Sequence, residues 1–69
     1  MGGETYEVVT KGKLSPALVN ALDGYFVARF EGGFSHLVGE CPDQQRLHGL
    51  LRLLRDMNIE LVSINTVPR

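Results

Sequence analysis

Apolar positions along this chain repeat at two spacings, and the switches between them divide it into six segments. Residues 5–11 (Thr5-Tyr6-Glu7-Val8-Val9-Thr10-Lys11) are rich in β-branched and aromatic side chains and read as a strand that ends at Gly12. Ser15-Pro16 then opens a helix, because serine accepts a bond from an orphan amide and proline suits the first helical position. Leu14 before the cap and Val19 one turn on supply a hydrophobic staple. Asp23-Gly24 closes the helix after about two turns. Residues 25–31 and 34–41 form two further strands, and Gly32-Gly33 between them supplies the positive φ angles of a two-residue hairpin.

Pro42 breaks the third strand and Asp43 caps a longer helix. At about 100° per residue, Leu47, Leu50, Leu51, Leu54 and Met57 share one side, and Gln45, His48, Arg52 and Arg55 share the other. Arg46 flanks the apolar side, placed to reach Glu60 or a partner's carboxylate. Gly49 costs the helix about 1 kcal/mol against alanine, which points to a close approach by another backbone. Asn58 ends the helix, and Ile59-Glu60-Leu61-Val62-Ser63-Ile64 is the fourth strand. The order strand, helix, strand, strand, helix, strand predicts an α+β fold, the ferredoxin-like βαββαβ sandwich. Right-handed crossovers place both helices on one face of a four-stranded antiparallel sheet. Residues 1–4 are expected to be flexible and residues 5–69 to form a single domain.

The length of 69 residues changes the picture, because so short a chain buries only about 60% of its unfolded surface. One cysteine, Cys41, forms no internal disulfide and suits a reducing cytoplasm. Oligomerisation is then the expected supplement to the core. The strand patterns agree: Phe26, Ala28 and Phe30 oppose Tyr25 and Val27, Leu37 and Cys41 oppose Phe34 and Val38, and Ile59 and Leu61 oppose Val62 and Ile64. Helices cover only one of these two apolar faces. Tyr25, Val27, Phe34, Val38, Val62 and Ile64 are therefore the expected interface of a homo-oligomer, most simply a two-fold dimer through the open sheet face or an edge strand.

Seven Lys and Arg against eight Asp and Glu leave a formal charge of −1, without the clustered positive field that nucleic acid requires. No apolar run is long enough for a membrane span of about 18 residues. The start of the chain lacks the basic and apolar regions of a signal peptide. Tyr6 stands where a myristoylation motif needs Ser or Thr.

His36, Cys41 and His48 are the soft metal-ligand types present, and they lack the spacing of a four-ligand zinc site. Neither a metal nor a cofactor is expected. Cys41 with His48 is the one nucleophile–base pairing the residue types allow, and nothing in the sequence marks either as activated. The N-terminal proline base of small tautomerases is absent. Tyr25, Phe34 and His36 loosely resemble a base-stacking platform but lack its aromatic signatures. Arg52 and Arg55, with His48 beside them, suit either a bound carboxylate or phosphate or a plain solvated helix face.

Three stretches, Leu14-Ser15-Pro16-Ala17-Leu18-Val19, residues 42–51 and residues 54–63, resemble a group of very small uncharacterised proteins common in actinomycetes. The resemblance covers the chain from Tyr6 onward and implies no activity. By topology the chain also resembles ACT-type regulatory domains, which hold ligands near the loop after the first strand. That resemblance implies a ligand site at Gly12, Lys13, Leu14 and Ser15. Heavy-metal-associated domains share this fold and length, but their paired cysteines have no counterpart in the loop here. The leading expectation is a non-enzymatic, oligomeric ligand-binding or regulatory module. The alternatives are a small dimeric α+β barrel enzyme, with His48 as its best-placed residue, and an adaptor that adds its edge strand to another sheet.

Overall fold

The computed structural model describes residues 3–22 and 26–68. Six elements follow in chain order: β1 (Glu4–Lys11), α1 (Pro16–Leu22), β2 (Val27–Glu31), β3 (Phe34–Cys41), α2 (Gln44–Asp56) and β4 (Leu61–Thr66). Asp23, Gly24 and Tyr25, where the first helix was expected to stop and the second strand to start, lie outside the described residues. The strands form one antiparallel sheet in the order β2-β3-β1-β4. Each β–α–β unit is split: β3 lies between β1 and β2, and β1 lies between β3 and β4. The class is α+β, as the element order implies.

Both helices cover the same sheet face. Val8, Leu37 and Cys41 from the strands share one buried cluster with Leu14, Leu18, Leu22 and Phe26 around α1 and with Leu50 and Leu54 of α2. At its centre Val8 is paired in register with Leu37, and both are fully buried. The local signals for α2 hold at both ends. The Asp43 side chain accepts the Arg46 amide at 3.0 Å. Asn58 takes the left-handed conformation at φ 58°. Ile59 N then donates to Leu54 O at 2.9 Å and Asn58 N to Arg55 O at 3.0 Å, the two bonds of a Schellman stop. The tight turn takes Met57 and Asn58, residues 59 and 60 lead out of it, and β4 starts at Leu61 and not at Ile59. At the other end of the sheet Glu4 already pairs with Cys41, so β1 takes in a residue expected to be flexible.

One irregularity decides which side chains of β4 meet the core. Val9 pairs with Ser63, but Thr10 pairs with Leu61, so Val62 is an extra residue in the ladder. Such a bulge resets the alternation of faces. Leu61 and Ile64 therefore both lie on the helix side, aligned with Thr10 and Val8. Ile64 packs against the buried cluster, so its expected place at an outward interface is corrected. Period-two counting placed it outward because no residue type in the strand announces the bulge.

Gly49 is not a point of close approach. A Cβ built there meets nothing within 4 Å. The Gly49→Ala chain should accordingly be more stable by about 1 kcal/mol, read as a higher urea midpoint; an equal or lower midpoint would show that this position has a packing role.

Candidate functional site

The seven expected ligand residues fall into two separate groups. In the β1–α1 loop the polar groups are largely engaged within the fold. Gly12 N donates to Gly33 O at 2.9 Å, and the Ser35 hydroxyl donates to Gly12 O at 2.6 Å. Ser15 Oγ accepts the Leu18 amide at 3.3 Å as the α1 cap, and Leu14 belongs to the core. Lys13 is exposed, at the side of a cavity of about 110 Å³ that it shares with Val19 and Phe30.

His48, Arg52 and Arg55 are brought together. Spaced about one turn apart, they line a groove of about 290 Å³ on the outer side of α2, with Leu51 and Asp56. A larger groove of about 500 Å³ adjoins it, shaped by Leu51, Leu54, Ile59 and Leu61 and edged by Arg55, Asn58 and Glu60. Leu51 and Arg55 belong to both. The Schellman stop and the bulge together make the larger groove: the first turns the chain back under α2, and the second holds Leu61 on the helix side. His48 is exposed on this open surface, not enclosed as a barrel enzyme's catalytic histidine would be. Arg46 stands in the first turn of α2, at the far end from Glu60, so the contact expected between them is not formed; its charge acts on Cys41.

Among the described residues, no helix lies on the other sheet face. Registers across the strands give three rows: Val27-Val38-Glu7-Asn65, Arg29-His36-Val9-Ser63 and Glu31-Phe34-Lys11. Val27, Val38 and Val9 run obliquely across three strands, with Phe34 diagonal to Val9. Val27 is 74% exposed and Phe34 39%. Around them His36 Nδ1 lies 3.3 Å from Glu7 Oε2, and Arg29 pairs with Glu31 at 3.6 Å. Val62 is also exposed, at the bulge.

A family model described as a domain of unknown function, DUF8691, matches residues 5–65. The chain belongs to that family. No curated protein and no solved structure matches it. The DUF8691 span runs from β1 into β4 and takes in both grooves and the open face.

Among the described residues of this DUF8691 chain, no three His, Cys, Asp or Glu side chains stand close enough to hold a metal ion. No helix among the described residues is long and apolar enough to cross a membrane. Thr10 Oγ1 is buried without a partner beside the bulge, where its register partner is an apolar Leu61. Cys41 is buried at the end of β3, and burial pushes its thiol above the ordinary value of 9.0; Arg46 pulls it down and Asp43 adds to the rise. A thiol held protonated is a poor nucleophile.

Above pH 9.0 the unfolded thiol releases its proton while the folded thiol keeps it, so the thiol's contribution is full below that pH and is lost as pH rises towards the raised folded value. Urea unfolding of the native chain and of Cys41→Ala between pH 7 and 10.5 should show the native chain losing stability faster above pH 9. Parallel curves would contradict the raised thiol.

Proposed function

We propose that this chain is a non-enzymatic module that works as a homodimer, with two copies packed through their open sheet faces. The observation that carries the reading is the oblique Val27-Val38-Val9 stripe on a face that no helix covers. Exposure supports it: Val27 is 74% exposed and Phe34 39% on this face, apolar surface of the kind that marks an interaction site.

A second copy is the occupant that the charges favour. Arg29 and Lys11 share this face with Glu7 and Glu31, so a two-fold operation can set cations of one copy against carboxylates of the other. The sheet edges are less suited to pairing. β2 has five residues and carries the Arg29–Glu31 ion pair, and the bulge interrupts β4. Short, charged or bulged edges resist strand addition, which counts against both an edge-to-edge dimer and a strand-adding adaptor.

A ligand-binding or regulatory role of the ACT-like kind is compatible with such a dimer. Its support lies in the outer face of α2 more than in the β1–α1 loop, whose polar groups are tied to Gly33, Ser35 and Leu18. A lone buried thiol held protonated suits a cytoplasmic setting.

Light scattering across a size-exclusion peak tests the dimer. The native chain should elute at twice 7.6 kDa at micromolar concentration. Val38→Lys, which places a charge in the centre of the stripe, should elute as a folded monomer with unchanged circular dichroism. A native peak at 7.6 kDa from micromolar to millimolar concentration would sink the proposal.

A further inference from the structure

We infer that the adjoining grooves at the C-terminal end of α2 form a binding site for a small amphipathic monocarboxylate, an acid of about eight carbons with an apolar chain. The larger groove has the volume of small-molecule sites, which run from about 300 to 1000 Å³, at about 500 Å³. Its walls are Leu51, Leu54, Ile59 and Leu61. Leu61 stays 44% exposed there, a large apolar side chain with one flank uncovered.

The head group is specified by the smaller groove. Arg52 and Arg55 are three residues apart, and neither guanidinium has a hydrogen-bond or ion-pair partner among the described residues, although Asp56 lines the same groove. Unpaired guanidiniums with their forks free suit bidentate recognition of a carboxylate. His48 adds a ring nitrogen at the same groove. With Asp56 counted, the polar groove carries one net positive charge, which matches a monoanion and not a phosphate dianion. Arg55 lines both grooves, so a head bound there leaves its chain against Leu51 and Leu61. Glu60 also lines the apolar groove, where its carboxylate opposes a second anionic group on the ligand. The site therefore takes an acid with one charged end.

The groove walls are fixed in advance. Leu54, Asn58 and Ile59 are held by the Schellman bonds, and Leu61 by its register with Thr10. Little ordering is left to oppose binding. The site lies on the helix side of the sheet, so it stays open whether or not two copies cover the opposite face.

Calorimetric titration of the full chain with sodium octanoate, octanol and octanedioate tests the inference. Octanoate should bind, and octanol and octanedioate about tenfold more weakly or less still. Arg55→Gln should weaken octanoate by about tenfold or more, the loss expected for a charge-assisted hydrogen bond. Arg55 is exposed, so this variant keeps the fold, and circular dichroism checks that it does. A stability change in Arg55→Gln with octanoate affinity retained would assign the arginine to the helix dipole and overturn the site. Equal affinity for octanol, or no octanoate binding at millimolar concentration, would overturn it too. Val38→Lys should bind octanoate as the native chain does, so failure of the dimer and failure of this site are read separately.

Discussion

Val8 and Leu37 face each other across the two central strands with no exposed surface, and the fold is arranged around keeping them dry. A four-stranded sheet of this size has two faces and only two helices to cover them. α1 is seven residues long and α2 thirteen. Both go to the same face, because right-handed crossovers from β1 to β2 and from β3 to β4 leave no other choice. The core is thus one layer thick. Phe30 illustrates the limit: it lies on the helix side in register with Ser35, but the short α1 leaves it 51% exposed at the β2 edge.

Two local devices tune this plan, and both act at the junction of α2 and β4. Asn58 stops the helix with a left-handed residue, and Val62 bulges out of the ladder. The first delays β4 by two residues; the second restores the alignment that the core needs by placing Ile64 opposite Val8. The same two devices leave Leu61 and Leu51 on the walls of the larger of the two α2 grooves. Packing and candidate binding surface thus share one cause, because a turn that re-aims a strand also leaves a recess behind it. The open sheet face, by contrast, owes nothing to irregular backbone. Its mixture of Val9, Val27, Val38 and Phe34 with His36, Glu7 and Arg29 is too apolar for a face given wholly to water and too charged for a dry core.

Elements with strong local signals were legible in the sequence. Ser15 and Asp43 cap their helices through their own side chains, and Gly32-Gly33 takes positive φ at both positions of the hairpin. The leucines of α2 at positions 50 and 54 are buried, as their spacing requires. Faces were legible wherever alternation was unbroken, which is why Val27, Phe34 and Val38 lie on the open face. Ile64 was not, since a bulge carries no residue signature in Leu61-Val62-Ser63. Met57 was also misassigned: the helix ends at Asp56, so Met57 caps it and stays 46% exposed. His48, Arg52 and Arg55 were found as a stripe, but the apolar groove beside them depends on where β4 returns, a long-range fact that no local pattern contains. Gly12 to Ser15 were expected as a site from fold analogy, and their hydrogen bonds with Gly33, Ser35 and Leu18 were beyond its reach.

The central claim is that a one-layer core leaves its second sheet face to another copy of the chain. Isotope-filtered nuclear Overhauser spectroscopy on a mixture of labelled and unlabelled chain reads that contact directly. The account predicts intermolecular contacts from the methyl groups of Val9, Val27 and Val38 and from the ring of Phe34, with none from Leu50 or Leu54. Intermolecular contacts confined to the helix side, or none at millimolar concentration, would contradict it.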